Sequence, residues 1–417
     1  MAKKKKTSGA IDADSFISNF LADSAANGSS LKAYLADDHA RYTFGVDIPL
    51  VLQYLFGEAN KLRCQIFLGV SGLRASTKSM FVYELGNYVM NTGGVHFAID
   101  TENKTSPSLM AALTRGHSRK LQPEKFSSKR RVFSTAGSIE DWQEQTTEII
   151  DRFRELGGLP KGKRVAGMVS VDSMMARTTE EQQTKLAKEG HSEGRGYPVA
   201  NAMITNYLES VSLRGTTAIF AYVQHMKEAI DSMAHGKQYR EKGPSAAEFA
   251  ATLHLRLRRI KSFNVVYHPA RWVDGPPCEG HTIQIDTHKS CMGPDKRRIQ
   301  VDVLWQYIDE EDEEGNKVAN QYMTYDWWGA LGNLLISMKY GEKKACAHDV
   351  ERLNEALLFT VSGKDVKCKE LGLDGVSVTE FGRAIEHNPE VKARVSHFLR
   401  IKPYTDFQEA DIEALDA

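Results

Sequence analysis

Between residues 64 and 224 the chain alternates short apolar runs with segments of helical period, and that alternation limits the folds open to it. "CQIFLGV" (64–70), "VHFAID" (95–100), "AGMVSVD" (166–172) and "TTAIFAYVQ" (216–224) read as buried strands. "KSMFVYELGNYVMN" (78–91), "SIEDWQEQTTEIIDRFRELGG" (138–158) and "YPVANAMITNYLESVSLRG" (197–215) carry the 3.6-residue period between them. In the second, Trp142, Ile149, Phe153 and Leu156 share a face; Ser138 and Asp141 form a capping-box pattern, and Gly157 can end the helix. In the third, Val199, Met203, Tyr207 and Val211 line one side. Strands separated by helices need crossover connections, so the expected core is α/β with a mostly parallel sheet.

Further on, "FAATLHLRLRRIK", "HTIQIDTHK" and "RRIQVDVLWQY" follow one another as strands without helices, which predicts an antiparallel extension of the sheet. "DEEDEEGNK" (309–317) reads as an acidic surface turn. Three parts are expected: a leader and helical arm over 1–45, the α/β core over 46–325, and a mainly helical region with an acidic tail over 326–417. In the arm, Phe16, Ile17, Phe20 and Leu21 make one helix face, which must bury against this chain or a neighbouring copy.

Composition narrows the function classes. No apolar run in the 417 residues approaches the length of a membrane span. The basic start "MAKKKKTSGA" has no apolar stretch behind it, so it is not read as a secretory signal. The five cysteines, Cys64, Cys278, Cys291, Cys346 and Cys368, contain no C-x-x-C, and no H-E-x-x-H occurs. A disulfide framework or structural zinc site is not expected, and a reduced cytoplasmic location is. Lys+Arg and Asp+Glu both number 54, so any polyanion site has to be local.

The chemistry sits at the strand ends. After the first strand, "GVSGLRASTKSMF" (69–81) follows the phosphate-loop pattern G-x-x-x-x-G-K-[ST], with Thr77 in the place of the last glycine. The candidate nucleotide contacts are Ser71, Gly72, Leu73, Arg74, Ala75, Ser76, Thr77, Lys78, Ser79 and Met80. Taken alone, the stretch fits either a nucleotide site or a plain strand-to-helix turn. The second strand ends in Asp100 and Glu102, and a carboxylate there can orient and deprotonate a water. The third ends in Asp172, in the form of a strand that supports Mg²⁺. The fourth ends in Gln224 and His225, polar groups that can sense a terminal phosphate. Each ending is common by itself; four in this order are much less so.

In these segments the chain resembles the RecA family of recombinases, most closely its phage-type UvsX members. The likeness lies in "DIPLVLQYLFGE", "IFLGVSGLRASTKS", "AIDTEN", "VSVDS", "IFAYVQH", "GPSAAEFAATLHLRLRRI", "IQIDTHKS…RRIQVDV" and "TEFGRAIEHNPEVKARVSHFLRI". It spans roughly residues 40–300 and part of the tail. Phage members also lack the final glycine of the loop.

The resemblance implies a RecA-like ATPase that uses ATP and Mg²⁺. It forms a helical filament on single-stranded DNA, pairs that strand with homologous duplex, and works with phage mediator and single-strand-binding proteins in an infected host cell. It implies that Lys78 binds phosphates, Ser79 and Asp172 hold Mg²⁺, Glu102 activates water, and Gln224 or His225 senses the γ-phosphate. Lys289 would act across the subunit interface. The family's second trans cation is Cys291 here, with Lys296, Arg297 or Arg298 as replacements.

Two DNA loops are implied. The first, Arg177–Gly196, carries Arg177, Lys185, Lys188 and Arg195 against four acids; the second, His225–Pro244, carries Lys227, Lys237, Arg240, Lys242 and Tyr239 against three. Cations mixed with an aromatic suit single-strand binding. The Phe16/Phe20 face would dock on the neighbouring subunit. A ring-forming hexameric helicase or motor, and a nucleotide-gated DNA-binding protein without strand exchange, are the alternatives. The Trp327-Trp328 stretch has no counterpart and reads as either core packing or a partner site.

Overall fold

The computed structural model describes residues 45–399, apart from 58–60, 121–129, 158–164, 176, 190–195, 230–237, 242, 267–277, 292–295, 312–316, 342–346 and 364. The leader with its Phe16/Phe20 face and the acidic tail lie outside the described residues.

In chain order, β1 (Gly45–Asp47), α1 (Leu50–Phe56) and β2 (Lys61–Arg63) lead into the core. There follow β3 (Ile66–Gly72), α2 (Lys78–Asn91), β4 (Val95–Asp100), α3 (Pro107–Lys120), β5 (Arg131–Thr135), α4 (Ile139–Gly157) and β6 (Gly167–Asp172). Next come α5 (Glu180–Glu189), α6 (Gly196–Ser210), β7 (Ala218–Ala229), β8 (Gln238–Glu241) and α7 (Ser245–Ala250). Four longer strands succeed them: β9 (Leu253–Val266), β10 (Cys278–Ser290), β11 (Arg298–Glu311) and β12 (Lys317–Tyr325). The described chain closes with α8 (Trp327–Tyr340), α9 (Ala347–Ala356), β13 (Thr360–Ser362), β14 (Asp365–Cys368), β15 (Leu373–Val376), α10 (Val378–His387) and α11 (Pro389–Phe398).

A ten-stranded sheet runs β12-β11-β10-β9-β3-β7-β6-β4-β5, with β8 paired to β7. The six strands from β9 to β5 are parallel. Strands β10, β11 and β12 extend it antiparallel, and β8 also pairs antiparallel. The expected α/β sheet with an antiparallel extension is therefore present.

Strand periodicity divides the core between the two faces. On β7, Ile219, Ala221 and Val223 join one apolar cluster, with Phe81 and Val82 of α2 and Leu331 of α8. Phe220 and Tyr222 join the other, with Trp142 of α4 and Ile204 of α6. Fully buried central strands explain the continuous apolar runs in the sequence.

Several segments differ from the sequence reading. The stretch read as the first DNA loop contains α5. Thr179 caps it: its hydroxyl accepts from Gln182 N at 3.3 Å, and Thr179 N donates to Gln182 Oε1 at 3.4 Å. The fourth core strand runs five residues past Gln224 and forms an antiparallel ribbon with β8, from Met226 opposite Glu241 to Ala229 opposite Gln238. The start of the second loop is thus strand. At α4, Ser138 caps as expected, accepting from Asp141 N at 3.0 Å, but the Asp141 carboxylate accepts from Gly137 N rather than returning to Ser138. The C-terminal region adds a three-stranded sheet, β13-β14-β15, to its helices.

The Trp327 side of the Trp-Trp pair is core. Its ring is buried, stacks on Tyr325 at 5.0 Å, and meets Phe81 of α2 edge-on. Asp326 caps α8 through Gly329 N at 2.9 Å and accepts from Thr379 Oγ1 at 2.8 Å, joining α8 to α10. A β-carbon on Gly382 would run into the Trp328 carbonyl, so only glycine permits this helix approach.

Candidate functional site

The phosphate-loop candidate lies between the carboxyl end of β3 and the first turn of α2, the order in which backbone N–H groups and a helix N-terminus converge on an anion. Thr77 sits at φ 58° and ψ 26°, the left-handed conformation that the missing glycine would take without strain. Ala75 is also left-handed, at φ 57°. Gly72 is required for space: a β-carbon there would strike the Leu257 carbonyl of β9 and the Ser76 hydroxyl. Ser76 Oγ and Lys78 Nζ both donate to the Leu73 carbonyl, at 2.8 and 2.7 Å. The loop is therefore wound around its own lysine. Tyr325 Oη at the end of β12 donates to the Thr77 carbonyl at 3.4 Å, fixing the loop from the C-terminal side.

Lys78 is buried. Burial pulls its ammonium down to about 8, while Asp172 and Glu102 act to hold it up. Asp172 is buried as well. Burial drives its carboxyl up to about 6, against a hydrogen bond from Ser79 and with Glu102 and Asp100 adding like charge. A buried carboxylate beside a hydroxyl and two further acids is a place where a cation would be welcome.

The structure separates the roles of the two acids after β4. Asp100 folds the turn: Oδ1 accepts from Glu102 N at 2.9 Å, and Oδ2 from Lys104 N at 3.0 Å and Thr105 N at 2.8 Å. Its acceptors are committed to backbone. Glu102 points to side chains instead. Oε1 accepts from His225 Nε2 at 2.6 Å and Ser173 Oγ at 3.0 Å, and Oε2 from Lys104 Nζ at 2.5 Å. Burial would raise this carboxyl, but the hydrogen bonds from Lys104, His225 and Ser173 outweigh it and hold it at about 2.

These contacts follow from strand order. β7 lies between the loop strand β3 and β6, and β6 lies next to β4. The turns after β4 and β6 therefore bring Glu102 and Ser173 beside His225, which lies on β7 level with the end of β3. Burial lowers the His225 imidazole below its ordinary value, against the Glu102 hydrogen bond; facing a carboxylate, which only accepts, Nε2 is the donor of that contact. Gln224 is buried with neither amide atom hydrogen-bonded among the described residues. Such a group is costly unless a ligand or water completes it.

The same edge continues into the ribbon. Glu241 on β8 accepts from Ser71 Oγ at 2.9 Å and Arg256 Nε at 3.1 Å. The base of the β7–β8 ribbon is thus tied to the last turn of the loop strand.

The residues expected to meet DNA are less gathered. Lys227 is exposed on β7, and Lys188 is exposed on α5. Arg177 is half-buried, its Nε without a hydrogen bond among the described residues. Lys185 lies on α5, and Tyr239 and Arg240 lie on β8. Lys237, Lys242 and Arg195 fall outside the described residues. Lys289 on β10 donates to the carbonyls of Glu248 and Phe249, at 3.0 and 2.6 Å. Of the three residues expected to replace the second cation, Arg297 is buried on Tyr54, stacking on its ring and donating to its carbonyl. Arg298 pairs with Asp286, and Lys296 is exposed.

No protein-family model matches this chain, and no curated protein matches it. Among the described residues no helix is long and apolar enough to cross a membrane, and no cluster of three or more His, Cys, Asp or Glu has the form of a metal cage. Sequence reasoning missed Ser173, Lys104, Glu241 and Tyr325. Ser173 and Lys104 stand one and two places beyond residues already singled out, so proximity to a strand end was the available signal. Glu241 and Tyr325 carried none.

Proposed function

We propose that this chain is an ATP-hydrolysing recombinase of the RecA type, which polymerises on single-stranded DNA and pairs it with homologous duplex. The observation that carries the reading is the convergence of Lys78, Asp172, Glu102 and His225 at one edge of the sheet, from four strands in the order the resemblance implies. A plain strand-to-helix turn gives no reason for a buried lysine, a buried aspartate and a tied glutamate to share that edge.

The residues divide the work as follows. Backbone N–H groups of the left-handed loop and Lys78 take the phosphates; Lys78 leaves the Leu73 carbonyl to do so. Ser79 and Asp172 would hold Mg²⁺, which would supply positive charge to neutralise the phosphate oxygens. Few protein ligands are needed, because Mg²⁺ keeps waters and phosphate oxygens around it. Glu102 orients the attacking water. His225 and Gln224 lie beside it on a strand that becomes the β7–β8 ribbon, so a terminal phosphate and a strand of DNA act on one element. Lys227, Arg240 and Tyr239 on the ribbon, with Lys237 and Lys242, track the DNA backbone and bases. Arg177, Lys185, Lys188 and Arg195 form the first contact segment. Lys289 reaches a neighbour's nucleotide in a head-to-tail assembly, since heterologous contacts that do not close generate helical filaments. The Phe16/Phe20 face docks on the neighbouring copy, and mediator and single-strand-binding proteins assist loading in the cytoplasm of the host.

The test is ATP hydrolysis by the full chain with and without single-stranded DNA, at two salt concentrations. The expected result is turnover that DNA stimulates and that salt weakens, because binding releases counterions. Turnover indifferent to DNA, with no DNA binding at low salt, would remove the recombinase reading.

A further inference from the structure

The contacts of Glu102 differ in how readily they can be broken. Ser173 is buried just past the end of β6, His225 is part-buried within β7, and the two share Oε1. Among the described residues Lys104 alone holds Oε2, and its side chain is 77% exposed against 15% for Glu102. The turn that presents it is built: Asp100 takes the Lys104 N–H, and Asn103 is left-handed at φ 54°. The backbone is therefore fixed while the ammonium remains free to swing on its four-carbon stem.

We propose that Lys104 is a movable cation, which restrains Glu102 through Oε2 in the nucleotide-free protein and crosses to the terminal phosphate of a bound nucleoside triphosphate. This rests on the ATPase reading above. Its departure leaves Oε2 open to accept a hydrogen bond from water. No covalent bond changes in the exchange; one ion pair is replaced by another.

Three features support it. A carboxylate tied by three donors is a weak base, because each donor stabilises the charge that would have to attract a proton. Exposed ion pairs are weak, so a phosphate of higher charge can compete for the lysine. The His225 imidazole feels both Lys78 and Lys104, so Lys104 sits in the same electrostatic neighbourhood as the phosphate-binding lysine. The lowered pKa of Glu102 agrees with this: burial opposes it, and the Lys104 hydrogen bond is the largest of the contacts that lower it.

The experiment compares the full-length protein with Lys104→Met and Lys104→Arg. It measures DNA-independent ATP hydrolysis and the binding of ADP and of the imido analogue of ATP. In Lys104→Met, KM should rise by about two- to fivefold, the scale of an exposed ion pair, with kcat little changed, because in the wild type Lys104 has already left Glu102 once the triphosphate is bound. The analogue should bind about two- to fivefold more weakly, with ADP unchanged. Lys104→Arg should track the wild type. An unchanged KM, a fall in kcat, or equal effects on ADP and the analogue would each overturn the proposal. A wild type that hydrolyses ATP through Glu102 while Lys104→Met has no effect sinks this proposal alone. A wild type that neither binds nor hydrolyses ATP sinks the ATPase reading with it.

Discussion

Nε2 of His225 lies 2.6 Å from Oε1 of Glu102, across 123 residues of chain. The contact spans β6, joining the turn after β4 to β7, two strands that are not neighbours in the sheet. It makes Glu102 the acid to test. Glu102→Gln should still bind ATP but lose hydrolysis by at least about a hundredfold, the usual scale of general-base loss. Parallel binding and turnover measurements check this; near-normal turnover would reject the role.

Lys78 is the cation enclosed by the loop, and its ammonium is already lowered to about 8, mainly by burial. Lys78→Ala should abolish Mg-ATP binding in calorimetry while the protein still unfolds cooperatively. Retained binding would place the phosphates elsewhere.

The Asp172 carboxyl, driven up to about 6 by burial, predicts a pH dependence. Its ordinary value is 3.8, so the folded state holds this proton more tightly than the unfolded chain does. On this group alone, stability rises as pH falls from about 6 towards 4. Metal needs the ionised form. Mg²⁺-dependent nucleotide affinity should therefore fall as pH drops below about 6, by up to about tenfold per pH unit for one competing proton. A titration of affinity against pH, with and without Mg²⁺, checks it; the same slope without Mg²⁺ would contradict it.

Thr77 holds a conformation that costs a β-branched residue about 1–2 kcal/mol. Glycine relieves that strain but gains freedom in the unfolded chain, worth up to about 1 kcal/mol in the other direction. Thr77→Gly should leave stability equal or higher by up to about 1 kcal/mol, with ATP binding retained. Denaturant unfolding and nucleotide titration read both. Lost binding would mean that the threonine side chain itself is part of the site.

Trp327 packs between Tyr325 and Phe81, so the loop helix and α8 share one core. Trp327→Ala should cost about 3–5 kcal/mol in urea unfolding, as for other large buried aromatics. A cost below about 1 kcal/mol, the level of ordinary surface changes, would contradict that core assignment.

What could be read in the sequence follows local physics. Helix α2 and strand β4 match the expected bounds, 78–91 and 95–100, because each is framed by turn residues and carries a single period. The α/β class and the antiparallel extension followed from the same patterning. Strand β5 was missed: it is an edge strand with Val132 and Phe133 exposed, so it lacks the buried run that marks its neighbours. Helix α5 was legible in principle, since Thr179 and Gln182 form a capping box, but its polar composition read as a loop. The β7–β8 ribbon depends on pairing across residues 230–237, which no local period records. Lys78, Glu102, Asp172 and His225 lie near one another because residues that follow parallel strands share an edge of the sheet. The contacts of Ser173 and Lys104 with Glu102 depend on turn geometry, which the sequence states only as "DTENK" and "VDS".

The most direct measurement is electron microscopy of the full-length protein on single-stranded DNA with a non-hydrolysable ATP analogue and Mg²⁺. Helical filaments should form, and Lys78→Ala should form none. Closed rings, or single particles under conditions where DNA and nucleotide are both bound, would contradict the recombinase reading.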